Sequence, residues 1–366
     1  MVKRNILLNP GPATTTDSVK QALVVPDICP REQEFGDLVA GIRRKTVDVV
    51  NGGDNYTSVL LSGSGTLAME TCLSSVLGES DKILIIDNGA YGKRAEQIVQ
   101  VYGMPHLTYR LQWGDFPSVD HVEELLKQNP DMTHLFMVHH ETTTGMLNPL
   151  EPIIALCRER NIITVIDAIS SYAGIPVDLQ QTPADYLISS SNKCIQGFAG
   201  IGIIIAAIDR LEATERIPPR NFYMNLYQNY YFWKTTQQFQ FTPPVQVLYA
   251  LDKALDEFFQ ETQEGRYRRY CECYQVLIST LDELNLTCLI PEAQRSKLLT
   301  AIVEPEIPGY SFNELHDYLY QKDITIYPGK GAKENTFRIA NIGSIDKTDM
   351  QAAMNELRSY FSTLQS

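Results

Sequence analysis

Two short apolar runs in the middle of the chain constrain its fold most, because each leads to a single ionisable residue. Residues 162–166 read Ile-Ile-Thr-Val-Ile and end at Asp167, while residues 186–188 precede a polar turn that carries Lys193. Apolar runs of this length are typical of inner strands in a parallel sheet. The carboxyl ends of such strands lie at one edge, where α/β proteins place their sites. The sequence therefore predicts an acid and an amine at the same sheet edge.

This pair suits a pyridoxal phosphate site, which needs a Schiff-base lysine and an acidic partner for the pyridinium nitrogen. An ordinary ion pair between two strand ends is the alternative, and the two residues alone do not decide between them. Residues 62–66, Ser-Gly-Ser-Gly-Thr, follow a predicted strand and open a predicted helix. Such a turn can offer free N–H groups to a phosphate, or can simply be a capped glycine-rich turn. It matches neither nucleotide-binding glycine motif completely, so a nucleotide is not indicated.

Alternating strand-like and helix-like patterns over residues 59–207 predict an α/β fold with a mostly parallel sheet. Residues 200–207 follow Lys193 too closely for a helical crossover, so we expect an antiparallel returning strand there. Beyond residue 244 the pattern predicts a nearly unbroken helix over 245–284, short strands at 298–303, 324–327 and 336–339, and a helix over 346–360. We expect an N-terminal arm (1–16), a large cofactor-binding domain (17–255) and a smaller α+β domain (256–366).

Charge and length exclude several classes of function. The 366-residue chain has a formal net charge of −13 at pH 7, which argues against general binding to nucleic acid or anionic membranes. The most continuous apolar stretch, 201–208, is too short to span a bilayer, and the N-terminus lacks the apolar core of a signal peptide. We therefore expect a cytoplasmic protein. His139 and His140 adjoin Glu141, but neighbouring side chains of an extended chain point opposite ways, so no metal site is predicted.

Three further side chains are candidates for a site. Tyr91 lies at a strand-to-helix turn and could stack on a flat ring or simply pack, and the Thr142 hydroxyl could bond a phenolic oxygen. Arg338 is a single cation in an apolar strand, which is costly unless it is paired. It either meets an internal acid or binds an anionic ligand through its guanidinium. Clustered aromatic residues over 222–233 predict core or subunit-interface packing, with Tyr223, Tyr227 and Tyr230 on one helical face.

Taken in order, these segments resemble the class V aminotransferases of PLP fold type I, essentially from end to end. The similarity lies in residues 9–12, 26–32, 88–94, 139–145, 190–193 and 337–339. The lysine, the acid and the arginine are common to the class. The amino-acid sequences of residues 27–32, 139–145 and 190–193 are more particular to members that act on a phosphonate. The resemblance implies a large domain with a mainly parallel seven-stranded sheet, a smaller C-terminal α+β domain, and a homodimer with shared sites.

The resemblance also implies roles for individual residues. Lys193 would form the internal aldimine and move the substrate proton, and Asp167 would keep the pyridine nitrogen protonated. Pyridoxal 5'-phosphate would be held by Ser64, Gly65 and Thr66 at its phosphate, Tyr91 on its ring, Thr142 at its phenolic oxygen and Thr242 donated by the partner subunit. The substrate would be bound by Arg338, Asn9, Gly11 and Arg31, although an exposed turn is the alternative for Arg31.

The activity implied is a ping-pong transamination of 2-aminoethylphosphonate with pyruvate, giving phosphonoacetaldehyde and L-alanine. A serine- or alanine-glyoxylate type of reaction in the same class is one alternative, because it uses the same catalytic groups. A pyridoxal phosphate lyase or cysteine desulfurase is another. A desulfurase needs a nucleophilic cysteine on a mobile loop. Cys194 adjoins Lys193, but the sequence shows no separate cysteine-bearing loop rich in glycine and serine.

Overall fold

A computed structural model describes residues 4–329, 331 and 334–364. Residues 1–3 of the expected N-terminal arm and residues 330, 332, 333, 365 and 366 of the expected small domain lie outside the described residues. The strands are β1 (Ile6–Leu7), β2 (Tyr56–Gly63), β3 (Ile83–Asp87), β4 (His106–Arg110), β5 (His134–Val138), β6 (His140–Glu141), β7 (Met146–Leu147), β8 (Ile163–Asp167), β9 (Tyr186–Ser190), β10 (Gly200–Ala207), β11 (Leu299–Val303), β12 (Ile324–Thr325), β13 (Tyr327–Pro328) and β14 (Thr336–Ala340). The α-helices are α1 (Asp17–Gln21), α2 (Gln33–Asp48), α3 (Gly65–Val76), α4 (Ala90–Val101), α5 (Val119–Gln128), α6 (Leu150–Glu159), α7 (Ile208–Ala213), α8 (Leu226–Thr236), α9 (Val245–Glu261), α10 (Gln263–Glu283), α11 (Phe312–Tyr320) and α12 (Lys347–Thr363).

The central sheet has seven strands in the order β2-β10-β9-β8-β5-β3-β4. The strands from β9 to β4 are parallel to one another, whereas β10 pairs antiparallel with both β2 and β9. The α/β fold, the mainly parallel sheet and the antiparallel return over residues 200–207 are confirmed.

Alternate side chains of the inner strands enter two different hydrophobic cores. In β3, Leu84 and Ile86 pack into one core and Ile83 and Ile85 into the other, and all of them are buried. Successive side chains of a strand point to opposite faces, so a strand covered by helices on both faces is apolar throughout. This double burial holds the strand ends that carry the site in a fixed register.

A third core lies in the C-terminal part of the chain, around the antiparallel sheet β11-β14-β13 and helices α10, α11 and α12. Leu8 from the N-terminal arm is buried in it, and β1 pairs in parallel with β12. The predicted strand over 324–327 is divided between two sheets, because β12 pairs with β1 while β13 pairs with β14. The expected domain boundary at residues 255 and 256 lies within α9.

Two predicted helical segments differ from the structure. The helix expected over 245–284 is broken at Thr262, whose φ of 69° ends α9, and whose hydroxyl accepts a hydrogen bond from Gly265 N at the start of α10. The expected helical face of aromatic residues is wrong at Tyr223, because Asn225 caps the helix and α8 begins only at Leu226. None of the described helices is both long and apolar enough to cross a membrane.

Candidate active site

The predicted edge of the sheet borders a cavity of about 480 Å³. Asp167 ends β8 and is in register with Val138 of β5 and Ile188 of β9. Sequence-predicted residues in the cavity wall are Ser64, Gly65, Thr66, Tyr91, Thr142, Asp167 and Lys193. The wall also includes residues that we did not predict, among them Arg94, His140, Ser170 and Asn192. The acid, the lysine and the glycine-rich turn therefore face one shared space.

Lys193 lies on the loop after β9, and residues of the N-terminal arm form hydrogen bonds with this loop. Its Nζ donates a hydrogen bond of 2.5 Å to the carbonyl of Pro10, and Ala13 N donates to Asn192 O at 3.0 Å. Gly11 has a φ of +128°, and a Cβ at this position would overlap the Lys193 side chain. Burial lowers the pKa of Lys193 to about 8, with Arg338 and Arg94 acting in the same direction and Asp167 opposing them. The amine is therefore partly neutral near pH 8.

The other side of the lysine loop is fixed by helix α10. The carbonyl of Cys194 accepts hydrogen bonds from Arg266 Nη1 at 2.9 Å and from the Tyr270 hydroxyl at 3.4 Å. Gln196 Nε2 donates to the same Tyr270 hydroxyl at 2.7 Å. Cys194 is itself buried, as are Arg266 and Tyr270. These contacts connect the lysine loop rigidly to the C-terminal part of the molecule.

Asp167 is buried, with one carboxylate oxygen used and the other available. Ile169 N donates to Oδ1 at 2.9 Å, while no described residue donates a hydrogen bond to Oδ2. Burial raises the pKa of Asp167 to about 7, and the nearby Glu141 carboxylate acts in the same direction. Arg94 and Lys193 oppose this rise. The site can therefore accept a proton-bearing cationic group at Oδ2.

The glycine-rich turn forms the N-terminus of α3 at one end of the cavity. Ser64 caps this helix by accepting a hydrogen bond from Leu67 N at 3.3 Å. The N–H groups of Gly65 and Thr66 have no partner among the described residues. A Cβ at Gly65 would lie 2.7 Å from Ile169 Cδ1, so a larger residue here would force the Ile169 side chain to shift. Free amides at a helix N-terminus are suited to an anion such as a phosphate.

Tyr91 enters the cavity from the first turn of α4, whose N-terminus is held by a buried carboxylate. Glu141 Oε2 accepts from Tyr91 N at 3.3 Å, and Oε1 accepts from Thr143 N at 2.9 Å. Burial raises the pKa of Glu141. Gly89 packs directly against this side chain, and a Cβ there would overlap the Glu141 carboxyl group. The strand-end acid thus sets the position of the aromatic ring.

Arg338 lies beside the cavity but is not part of its wall. Its Nη1 donates to the Thr142 carbonyl and its Nε to the Pro328 carbonyl, both at 3.0 Å. Within residues 4–329, 331 and 334–364 it forms no ion pair, and its Nη2 has no acceptor. Burial lowers the pKa of Arg338. The guanidinium is only 5% exposed and has no ion-pair partner among the described residues, although the nearby Glu141 carboxylate acts to raise its pKa.

Besides Arg338 and Gly11, three other predicted residues lie outside the cavity wall. Asn9 is buried, with Nδ2 donating to Pro12 O at 3.2 Å, and its Oδ1 has no partner in the described chain. Arg31 is on the surface and donates to Phe239 O at 2.6 Å and to Gln238 Oε1 at 3.1 Å. Thr242 is exposed, on the same segment. Within a single chain, neither Arg31 nor Thr242 reaches the cavity.

His140 is a polar group in the cavity wall to which the sequence analysis gave no site role. Its Nδ1 lies 3.2 Å from the Ser170 carbonyl, and its Nε2 is buried without a partner among the described residues. Burial lowers the pKa of His140 to about 4, so the ring is neutral and Nδ1 carries the proton that bonds Ser170. In the part of the chain that the structure describes, no group of His, Cys, Asp and Glu side chains could hold a metal ion.

Comparison with known proteins identifies the family. The family model described as aminotransferase class-V matches residues 19–348. The chain is 37% identical to a 2-aminoethylphosphonate–pyruvate transaminase of Bacteroides fragilis, over 98% of this chain and 99% of that protein. It is 38% identical to the Syntrophobacter fumaroxidans protein of the same name, over 94% of this chain and 93% of the other.

Solved structures show the same fold. An alanine–glyoxylate aminotransferase from Nostoc sp. has a TM-score of 0.91 at 24% identity, covering 100% of this chain and 96% of that one. A pyridoxamine-pyruvate aminotransferase from Mesorhizobium loti has a TM-score of 0.90 at 21% identity, covering 100% and 94%. The chain whose cavity contains this lysine and this acid therefore belongs to the class V aminotransferase family.

Proposed function

We propose that the chain uses pyridoxal phosphate to transfer the amino group of 2-aminoethylphosphonate to pyruvate, giving phosphonoacetaldehyde and L-alanine. The observation that carries this proposal is the cavity that contains Lys193, Asp167 and the N-terminus of α3. The choice of substrate is supported by relatives with this activity in their names that are 36–38% identical over nearly the whole chain.

The residues present fit the cofactor, because its polar groups match unfilled bonding capacity in the wall. Asp167 Oδ2 can accept from a pyridinium N–H, and the free amides of Gly65 and Thr66 can bind the phosphate. The Lys193 amine lies in the same cavity, where it can reach the aldehyde carbon of the cofactor. When bound, pyridoxal phosphate supplies an electron sink for negative charge that develops on the amine carbon of the substrate.

We assign the proton transfer to Lys193 Nζ. With a pKa of about 8, the amine is roughly a tenth neutral at pH 7 and about half neutral at pH 8, so its neutral form can take a proton from the substrate and return it. The Pro10 carbonyl accepts a hydrogen bond from this amine, and Arg266 holds the adjacent Cys194 carbonyl, so the amine is fixed in place. Asp167 keeps a proton on the ring nitrogen, because the cationic N–H at Oδ2 favours the ionised form of the Asp167 carboxyl group.

We assign the anionic group of each substrate to Arg338. A phosphonate and a carboxylate both accept paired hydrogen bonds from a guanidinium, and the two substrates occupy the site in turn. The free Nη2 and the missing acid partner leave Arg338 capable of this contact. Asn9, with its buried unpartnered Oδ1, and Gly11 are proposed to complete the substrate side, with Arg31 as an added contact in the assembled protein.

We propose a cytoplasmic homodimer in which Thr242 enters the site of the partner subunit. Thr242 is exposed and follows Phe241, which stacks on Tyr223 at 4.6 Å between ring centroids. Phe222, beside them, is 80% exposed, which is unusual for a phenylalanine and suits a covered interface. The division into an arm, a large domain and a small domain at residues 16 and 255 is part of this proposal. The acidic net charge supports the absence of nucleic-acid and membrane partners.

A half-reaction without any keto acid tests this function. The protein is mixed separately with 2-aminoethylphosphonate, L-alanine and L-serine, and the visible absorbance of the bound cofactor is followed. Near neutral pH, we expect the visible absorbance band of the bound cofactor to be lost with 2-aminoethylphosphonate and with L-alanine, and to change little with L-serine. A response to serine or alanine without one to the phosphonate would favour a glyoxylate-type aminotransferase instead.

A further inference from the structure

We propose that Arg94 supplies the positive charge of the cofactor-phosphate site and orients the hydroxyl of Thr66 toward the phosphate. This inference rests on the proposed use of pyridoxal phosphate. It concerns a residue with no role in the sequence-based assignment.

Arg94 connects the N-terminal ends of two helices at one end of the cavity. It lies in α4, one turn after Tyr91, and its Nη1 donates to Thr66 Oγ1 of α3 at 3.1 Å. Both Arg94 and Thr66 are part of the cavity wall, next to the free amides of Gly65 and Thr66. The guanidinium therefore lies next to the amides that we assign to the phosphate.

The contact also constrains the direction of the Thr66 hydroxyl proton. A guanidinium only donates hydrogen bonds, so Thr66 Oγ1 acts as the acceptor in this pair. No described residue accepts the hydroxyl proton of Thr66 in turn. That proton is free to bond a phosphate oxygen. Arg94 thus turns a hydroxyl that could either donate or accept into a donor.

The charge of the site supports the same assignment. The other groups assigned to the phosphate are amides and hydroxyls, which are neutral, and a helix N-terminus adds only a partial positive charge. Among the described residues of the wall, Arg94 is the basic side chain that stays fully charged, because burial lowers the pKa of Lys193 to about 8. Arg94 forms no ion pair within the described chain. Its charge reaches across the cavity, since it lowers the pKa of both Asp167 and Lys193.

A structural role for Arg94 would be different, and it can be separated by experiment. The guanidinium carbon lies 4.8 Å from the centroid of the Tyr91 ring, so Arg94 could serve only to hold this ring in position. Removing such a support would weaken binding of the cofactor ring whether or not the ring carries a phosphate. Removing a phosphate ligand would weaken only the phosphorylated form.

The test measures dissociation constants of pyridoxal phosphate and of unphosphorylated pyridoxal for the cofactor-stripped full chain, in phosphate-free buffer. Arg94→Met removes the charge, Arg94→Lys keeps it, and Lys93→Met is the matched control at the exposed neighbouring position. We expect Arg94→Met to raise the dissociation constant of pyridoxal phosphate by about 10- to 100-fold. The pyridoxal constant should change less than about twofold, Arg94→Lys should lie between, and Lys93→Met should match the parent protein.

Equal weakening of both ligands in Arg94→Met and Arg94→Lys would overturn the proposal in favour of ring support. An unchanged constant for pyridoxal phosphate, with a raised KM for 2-aminoethylphosphonate, would place Arg94 at the substrate anion and overturn it too. If Arg94→Met does not fold, the Arg94→Lys comparison decides by the same ratio of constants. Failure of the proposed substrate would show separately, as a parent protein that binds pyridoxal phosphate but does not react with 2-aminoethylphosphonate.

Discussion

Asp167 and Lys193 lie in the same cavity, and burial moves the pKa of each toward neutrality from opposite directions. The pKa of Asp167 rises to about 7 and that of Lys193 falls to about 8. Burial removes water from the charged form of each group, so ionising either group in the cofactor-free protein costs free energy. A bound cation at Asp167 would remove part of this cost, which links cofactor binding to the ionisation of the site.

This linkage gives a stability prediction for Asp167→Asn in the cofactor-free protein. The folded-state pKa is above the unfolded value near 4, so the folded form binds the extra proton, and the wild-type protein loses stability as the pH rises from about 4 to about 7. Asparagine avoids that loss. We expect the variant to be more stable than the wild type by roughly 1–3 kcal/mol at pH 8, with little difference near pH 4. Urea unfolding at both pH values measures this, and an equal difference at both would show that ionisation is not the cause.

Arg338 is predicted to affect both substrates, because the same guanidinium serves both anions. Removing a buried charged partner of an anion costs roughly 2–5 kcal/mol in binding. Arg338→Met should therefore raise the KM for 2-aminoethylphosphonate and for pyruvate together, with Arg338→Lys retaining part of the binding. Steady-state kinetics with each substrate varied in turn would measure it. Unchanged kinetics for both substrates would show that Arg338 does not bind them.

At the scale of elements, the N-terminus of α4 depends on the close packing of Gly89 against Glu141. A Cβ at Gly89 would overlap a buried carboxyl group that accepts hydrogen bonds from Tyr91 and Thr143. We expect Gly89→Ala to lower the free energy of unfolding by about 1–3 kcal/mol and to weaken cofactor binding through Tyr91. Gly41, inside α2, has open space where its Cβ would lie.

Gly41→Ala is thus the matched control, and should be neutral or stabilise the protein by up to about 1 kcal/mol. Both variants are compared by urea denaturation and by titration with pyridoxal phosphate. Equal stability of the two variants would mean that the Glu141 side chain moves aside without cost.

The elements also show which parts of the molecule could be predicted from the sequence. Strands ending at Asp167 and leading to Lys193 were predictable, because apolar runs fix both burial and the edge at which strands end. The break at Thr262 was not, because the polar residues 260–266 are equally compatible with an exposed turn of helix, and the positive φ of Thr262 is a feature of the backbone.

The site was predictable where a residue lies at a strand end or a helix start, and not where a long side chain crosses between elements. Arg94 reaches from α4 to Thr66 of α3, a contact that requires the packing of two helices. Its position three residues after Tyr91 was the available signal, since such residues share a helical face. His140 was considered only as a metal ligand, and its unpartnered Nε2 depends on the tertiary contact with Ser170.

At the scale of the whole molecule, the shared site that we propose requires two subunits, because Thr242, which we assign to it, lies outside the cavity of its own chain. We predict that mixing two inactive variants, Lys193→Ala and Thr242→Glu, restores activity. In a mixed dimer, the site with the intact lysine receives the intact threonine of the other subunit. With random pairing, about half of the dimers are mixed and half of their sites are native, so activity should recover to about a quarter of the parent value.

The mixture is unfolded and refolded together, with each variant treated alone as the control. No recovery, with mixed dimers present by mass, would place Thr242 in the site of its own chain. Sedimentation of the parent protein as a monomer would contradict the shared site directly.

The most direct test of the central claim is turnover of the two proposed substrates together, followed by phosphorus and proton NMR. We predict that 2-aminoethylphosphonate and pyruvate are consumed in equal amounts while phosphonoacetaldehyde and L-alanine form in the same ratio. Lys193→Ala should show none of this. An unchanged phosphonate signal, in a protein that transfers the amino group of alanine or serine to glyoxylate, would contradict the claim and leave only the family and the cofactor.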